Sequence, residues 1–399
     1  MISVDAALAR CLALVAPLPC EDVPLAQALG RYMPEPARAA RDQPPFAASA
    51  MDGYAVQGDP AAGDCFAVVG EAGAGHAWSG TLGPHQAVRI FTGAPLPLGA
   101  TRVIVQEDVT RDGDTIIITH DTTPAGADAA RHIRPAGQDF RRGDALLPRR
   151  LRPNDLALLA AMNHPLVRVT RRPIVALIAT GDELVMPGET PGPDQIIASN
   201  SFAIKALAEE AGAEVRLLPI ARDTLPALTT VLGLAAGADL ILTTGGASVG
   251  DHDLVAQAAE SIGLVRSFWT IAMRPGKPLM AGRLGPAAML GLPGNPVSSI
   301  VCTHLFVLPM IRALLGQPAE SLAPQPLAAR LGCDVAANGA RAHYMRARLS
   351  PGDGLPLITP FDRQDSSLLT VLAQADALLI RPPGDGPRAK GDQVTFLPL

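Results

Sequence analysis

Ala238-Asp239-Leu240-Ile241-Leu242-Thr243-Thr244-Gly245-Gly246-Ala247-Ser248-Val249-Gly250-Asp251-His252-Asp253 reads as a buried strand that stops in a glycine-rich loop, with aspartates where a helix should begin. Leu240, Ile241 and Leu242 form the continuous apolar run of a central parallel strand covered on both faces. Gly245, Gly246 and Gly250 lack Cβ, so the backbone can turn sharply and bring its N–H groups close to a ligand. Open α/β sheets bind ligands at the carboxyl ends of such strands. The stretch therefore predicts an anionic, phosphate-bearing ligand at this loop.

Outward from it, strands and helices alternate. Strands are expected at 174–178, 214–218, 239–243, 264–271, 278–281 and 287–291. Helices are expected at 201–211, 224–236, 252–262 and 296–315. That rhythm predicts a doubly wound, mostly parallel α/β domain. Earlier in the chain, Ser3 is placed to cap a helix over 3–14, and 22–30 reads as a second helix stopped by Gly30. Short strands at 66–69, 87–91, 102–105 and 115–118, separated by Gly-Ala-Pro, Pro-Leu-Gly and Asp-Gly-Asp turns, predict an all-β insertion. Asn154 is expected to cap a helix to about 163. After 319, strands at 327–331, 344–349, 355–359 and 394–397 predict a C-terminal β-barrel-like domain.

Composition narrows the function classes. The chain has 399 residues, 48% hydrophobic and 18% charged, enough to bury a sizeable core. A net charge of −5 argues against a broad nucleic-acid-binding surface. No stretch approaches 18 uncharged apolar residues, and Asp5 and Arg10 interrupt the N-terminal apolar pattern, so neither a membrane span nor a signal peptide is expected. Cys11, Cys20, Cys65, Cys302 and Cys333 form no CxxC pair and read as buried thiols in a reducing cytoplasm. No HExxH, GxxxxGK[ST] or GxGxxG motif occurs, which removes the commonest NTPase and dinucleotide readings.

Four loops of the α/β domain carry candidate chemistry. Thr180-Gly181-Asp182-Glu183 follows a buried strand, so its carboxylates can hold a hard cation or move a proton; a helix start explains them equally well. The opening loop adds Asp251 and Asp253, with helix capping as the alternative. Arg274-Pro275-Gly276-Lys277-Pro278 sets two cations in a stiffened turn, and Lys277 is a compact ammonium in a chain whose other lysines are Lys205 and Lys390. Asn295 and Pro296 are placed to open a helix whose first N–H groups are free for an oxyanion. With no thiol or histidine cluster, oxygen ligands suited to Mg²⁺ fit better than a zinc site. Asp52, Thr92 and Asp139 read, by sequence alone, as turn residues.

Taken together, Ser49-Ala50-Met51-Asp52-Gly53-Tyr54-Ala55, Thr92-Gly93-Ala94-Pro95, Thr180-Gly181-Asp182-Glu183-Leu184, the opening loop, Arg274-Pro275-Gly276-Lys277-Pro278 and Leu292-Pro293-Gly294-Asn295-Pro296 resemble the molybdopterin molybdenumtransferase family, which includes the C-terminal part of gephyrin. The resemblance implies a split helical and extended dimerisation domain (1–42 and 140–170), a β insertion domain (43–139), a molybdopterin-binding α/β domain (171–317) and a C-terminal β domain (318–399). It also implies a homodimer whose active site draws on both chains. The reaction implied is Mg²⁺-dependent cleavage of adenylylated molybdopterin, with release of AMP and insertion of molybdenum from molybdate. By that resemblance Asp52, Asp139, Glu183, Asp223, Asp253 and Lys277 are catalytic, with Glu183 and Asp253 as magnesium ligands. Thr92, Gly181, Gly245, Gly246, Ser248, Arg274, Pro293, Asn295, Pro296, Arg341 and Ser366 bind the pterin nucleotide and the oxyanion. A molybdopterin adenylyltransferase and molybdoenzyme-maturation proteins are the implied partners. The competing readings are that adenylyltransferase itself and a gephyrin-like scaffold. Ala179, Ala247 and Arg274 depart from the commoner serine, valine and lysine of the family.

Overall fold

The computed structural model describes residues 1–120, 132–245 and 254–399. They form two compact units, Met1–Glu21 with Gly30–Pro34 and Arg168–Leu399, and Asp22–Leu29 with Glu35–Val167. In the first unit the α/β sheet has β1 (Ile174–Ala179), β2 (Glu214–Leu217), β3 (Leu240–Thr244), β4 (Leu264–Thr270), β5 (Pro278–Leu284) and β6 (Ala287–Leu292). Their order across the sheet is β2-β1-β3-β6-β5-β4. The strands β2, β1, β3 and β6 run parallel, and β5 is antiparallel to both its neighbours.

Every residue of β3 is buried, as its unbroken apolar run requires. Leu240 and Leu242 join one core layer with Leu177, Ile204 and Phe306, while Ile241 joins the other with Ile178, Val231 and Met289. This alternation is the period of two expected of a strand. From β1 the chain passes outward through α1 (Asn200–Glu210) to β2, then returns through α2 (Leu225–Leu234) to β3 on the far side of β1. Connections therefore diverge between β1 and β3, which opens a crevice at their carboxyl ends.

The helix Pro296–Leu314 is 19 residues long with a hydropathy of 1.7, long and apolar enough to cross a membrane, yet it is 83% buried within the protein. It is a core helix, and its composition answers to the apolar layer it fills rather than to lipid. A π turn over Thr303–Val307 interrupts it just before Pro309, which has no N–H to continue the α ladder. The N-terminal helix Val4–Leu12 forms as expected: the Ser3 hydroxyl accepts the Ala6 N–H at 3.2 Å, and Ala7 and Cys11 enter the same core layer. Five C-terminal strands, Leu327–Leu331, Ala342–Ser350, Leu357–Pro360, Ala377–Arg381 and Gln393–Pro398, close into a barrel through pairing of the second with the fourth. Of these, Ala377–Arg381 is absent from the expected strands, because an unalternating Ala-Leu-Leu-Ile run does not distinguish strand from helix.

The second unit contains a six-stranded sheet in the order Arg102–Val105, Gly53–Val56, Gln86–Ile90, Cys65–Ala72, Thr115–Ile118 and Val109–Asp112. Both of its faces are apolar, Tyr54, Val56, Phe66 and Ile104 on one and Ala55, Val88, Ile90 and Val103 on the other. Three sequence readings need correction. Residues 22–30 are not a helix: strand Cys20–Pro24 leads into a short 3-10 turn Leu25–Gln27, since Pro24 holds an extended backbone (ψ 139°) and offers no N–H. Arg152, not Asn154, occupies the cap of helix Pro153–Ala161, and Asp155 Oδ2 accepts the Arg152 N–H at 2.8 Å. Of the cysteines only Cys11 and Cys302 are buried, and Cys65 is exposed.

Candidate functional site

Three loops meet at the crevice, packed backbone to backbone. Thr180 donates its N–H to the Thr244 carbonyl at 2.9 Å. Gly245 has φ 93°, and a Cβ there would strike the Thr180 carbonyl. A Cβ on Gly294 would lie 3.4 Å from the Gly245 Cα. Gly181, at φ 145°, leaves room for the Glu183 carboxylate to fold back over the loop. Gly245 is required by contact between loops, Gly181 by its positive φ, and Gly294 sits in close contact with Gly245.

The crevice holds a cavity of about 480 Å³, lined by Glu183, Thr244, Gly245, Pro293, Asn295 and residues 196–201 among others. Glu183, on the loop after β1, lines it; Asp182 stands on the same loop and Asp223 on the loop after β2. Asp182 Oδ1 accepts the Asp223 N–H at 3.2 Å, and Arg222 donates to the Asp182 carbonyl at 2.9 Å. Burial, and then the charges of Asp182 and Glu183, raise the pKa of Asp223. Next to Glu183, whose carbonyl accepts the Ile196 N–H at 2.7 Å, Ile196 and Ile197 are 60% and 38% exposed, an apolar surface at the cavity. The hydroxyl of Ser201 is buried and has no partner among the described residues. Among those residues no group of three or more His, Cys, Asp or Glu is gathered for a metal.

A second opening of about 390 Å³ shares Pro278, Asn295 and Ser298 with the first. Three cations, Arg274, Lys277 and Arg341, line it against one acid, Asp365, whose Oδ1 already accepts the Ser367 N–H at 2.8 Å and hydroxyl at 2.6 Å; Ser366, Gln364 and His343 line it too. Strand Met273–Arg274 pairs in parallel with Ala342–His343 and carries the cationic loop to the barrel. Ser366 sits on a loop held by the fully buried Arg346, which donates to Gln364 Oε1 at 3.1 and 3.2 Å and to the Asp365 carbonyl at 2.7 Å. The Ser366 carbonyl in turn accepts the Val297 N–H at 3.1 Å. This corrects one expectation. Pro296 does open the helix and Asn295 occupies the cap position, but Asn295 makes no side-chain cap bond, and the barrel loop already takes one first-turn N–H.

In the second unit Asp52 and Thr92 are joined: Asp52 Oδ1 accepts the Thr92 N–H at 2.7 Å and its hydroxyl at 2.8 Å. The backbone bond first, then the hydroxyl, lowers the Asp52 pKa. Asp139 is exposed, on a segment whose backbone N–H is bound by the Gln43 carbonyl at 2.9 Å. Gly246, Ser248 and Asp253 lie outside the described residues. Thus Glu183, Gly245, Pro293 and Asn295 line the cavity, Gly181 and Pro296 adjoin these loops in the chain, Asp223 is tied to Asp182, and Arg274, Lys277, Arg341 and Ser366 line the cleft. Sequence reasoning passed over Ile196, Ile197, Ser201, His343 and Gln364. The only signal for the first three was an apolar pair just before a helix start.

Three family models match consecutive parts of the chain. They describe the MoeA N-terminal region (domain I and II) over residues 2–163, a probable molybdopterin binding domain over 176–313, and the MoeA C-terminal region (domain IV) over 328–399. A molybdopterin molybdenumtransferase of Nostoc sp. is 37% identical over 392 residues, 95% of this chain and 88% of that protein. One from Bacillus subtilis is 33% identical over 390 residues, 94% of this chain and 89% of that protein. Two solved molybdopterin biosynthesis MoeA proteins from Pyrococcus horikoshii cover this chain fully, at TM-scores of 0.84 and 0.81 with 30% and 26% identity, and 99% and 100% of their own chains are covered.

Proposed function

Because the chain belongs to the molybdopterin molybdenumtransferase family, we propose that it inserts molybdenum into adenylylated molybdopterin, cleaving the phosphoanhydride and releasing AMP. The observation that carries this reading is the pair of adjoining openings, one lined by Glu183 and one in which Arg274, Lys277 and Arg341 outnumber the single acid Asp365, with Asn295 and Ser298 in both walls. The larger takes the pterin nucleotide. Ile196 and Ile197 offer an apolar face to a planar ring, and the unpartnered Ser201 hydroxyl offers a hydrogen bond to a polar atom. The smaller takes molybdate, a divalent oxyanion suited to Arg274, Lys277, Arg341 and the Ser366 hydroxyl.

The donor set fits magnesium. Glu183 at the cavity offers carboxylate oxygens, and the Asp223 pKa is raised by burial first and then by the charges of Asp182 and Glu183, which a cation nearby would offset. Mg²⁺ is commonly held by one or two carboxylates plus substrate phosphates, so a preassembled protein cage is unnecessary. Glu183, with Asp253, would hold it, and the ion would offset charge on the phosphoanhydride. The chain's own part is to place Glu183 at the cavity, to hold the oxyanion by Arg274 and Lys277, and to pack the loops that carry them closely together. Asp52, Thr92, Asp139 and Asp223 keep the functional roles their motifs suggest. The four-domain division at 1–42 with 140–170, 43–139, 171–317 and 318–399, a homodimer and a cytoplasmic location belong to the same proposal.

The test is AMP release from adenylylated molybdopterin by the purified full chain. Release only with molybdate and Mg²⁺ together supports the reading. Molybdate-independent release would overturn it, and ATP-dependent adenylylation of molybdopterin would assign the adenylyltransferase reaction instead.

A further inference from the structure

His343 belongs to none of the sequence motifs, yet it stands at the centre of the basic cleft. The parallel pairing of Met273–Arg274 with Ala342–His343 sets Arg274 and His343 in register, though 69 residues apart. Arg274 Nη2 lies 2.9 Å from His343 Nδ1. A guanidinium can only donate, so Nδ1 accepts, and the ring is neutral with its proton on Nε2. The groups facing the ring agree. Burial, followed by the charges of Arg274, Arg346, Arg381 and Arg341, pushes its pKa down to about 3.

Two of those arginines are occupied elsewhere. Arg346 binds Gln364 and the Asp365 carbonyl, and Arg381 pairs with Asp385 at 2.6 Å. Arg274, in contrast, has no carboxylate partner among the described residues, and His343 is its hydrogen-bond acceptor. Its charge is therefore left uncancelled, on an exposed side chain lining the cleft. An arginine side chain free to rotate carries rotamer entropy, part of which an anion would have to remove on binding.

We propose that His343 is a positioning residue of the oxyanion cleft, an uncharged acceptor that fixes the Arg274 guanidinium at the opening without neutralising it. A carboxylate in its place would also hold the guanidinium, but would offset part of its charge; an apolar residue would leave it loose. The inference rests on reading this cleft as the molybdate site.

The test is calorimetric titration of the full chain with molybdate, together with kinetics. His343→Leu is expected to weaken molybdate binding about tenfold, a difference of about 1.4 kcal/mol, with a matching rise in KM and little change in kcat. His343→Gln, which keeps a neutral acceptor, should stay within about twofold of wild type on the same scale. In an Arg274→Ala background His343→Leu should add no further loss, since the two act through one bond. Equal damage from Gln and Leu, or an undiminished effect of Leu without Arg274, would overturn the proposal. If Arg274→Ala and Lys277→Ala both leave molybdate binding untouched, the cleft reading itself falls and this inference with it. If they weaken it while His343→Leu does not, only the role of His343 falls. Should the leucine variant not fold, nitrogen NMR of the wild-type imidazole decides: a neutral, Nε2-protonated ring at pH 6 supports the assignment, and an imidazolium overturns it.

Discussion

The two openings at the sheet edge share a wall and differ in nearly everything else. One is lined by Glu183 and an exposed isoleucine pair, whereas the other is lined by Arg274, Lys277 and Arg341 with one acid, Asp365, that is bound to Ser367. The difference teaches why a site for two anions keeps its charges apart. At an effective dielectric near 20, opposite unit charges 4 Å apart attract by about 4 kcal/mol. A free carboxylate such as Glu183 placed among the bases would pair with them and close the cleft to ligand; Asp365, which does line it, is bound by Ser367 instead. Here Glu183 sits on the loop after β1, while the bases sit on the β4–β5 connection and the barrel. Each side therefore keeps its valence for something brought in from solution.

The harshest way to break the comparison is to remove an acid. Glu183→Ala should lower AMP release by roughly 10²–10³-fold while the melting temperature stays put, because its carboxylate is exposed. An unfolded variant would make Glu183 structural instead. Asp52→Ala, in the other unit, is expected to abolish insertion as well while keeping the thermal transition; loss of that transition would reduce Asp52 to a tie for Thr92.

A subtler test asks whether the two openings are separate sites. Arg274→Ala or Lys277→Ala removes a charge-assisted contact, so molybdate affinity should fall by about 10- to 100-fold, corresponding to about 1.5–3 kcal/mol. Affinity for the pterin nucleotide, measured without molybdate, should hold. If both ligands weaken together, the openings are one site and the separation of charges has no functional meaning. Adding salt should weaken molybdate binding while these cations remain partly exposed.

The smallest expected effects are on stability against pH. Asp223 has a raised pKa in the folded state, so its ionised form opposes folding. Wild type should gain stability as pH falls through that pKa, and Asp223→Asn should remove the gain and raise the urea midpoint at pH 7. Asp52 behaves in the opposite sense. Its folded pKa is lowered, so its contribution is present above the ordinary carboxylate value and is lost as pH falls through the folded one. Comparing Asp52→Ala with wild type in urea at pH 7 and pH 3 checks the sign: the variants should differ at the higher pH and converge at the lower.

Much of the α/β domain was legible because its strands are short apolar runs between clear turn signals. The prediction for β3 differs from the strand Leu240–Thr244 by a single residue at each end. The losses have local causes. Pro24 withdrew the N–H a helix over 22–30 would need, and Ala377–Arg381 carries no alternation to mark it as a strand. At the candidate site the loop residue types were readable, but the reason for Gly245 was not. That reason is the contact it makes with another loop.

By itself, then, the sequence determined which loops could bind an anion, through glycines that permit positive φ, prolines that stiffen a turn, and carboxylates after buried strands. Those are properties of residues a few positions apart, where backbone sterics and periodicity act. Only the tertiary structure decided that Glu183 and the bases would face different openings, that Val297 would give its N–H to Ser366, and that Arg274 would meet a neutral His343. Such pairings join distant stretches through strand register and core packing, and no local pattern of side chains encodes them.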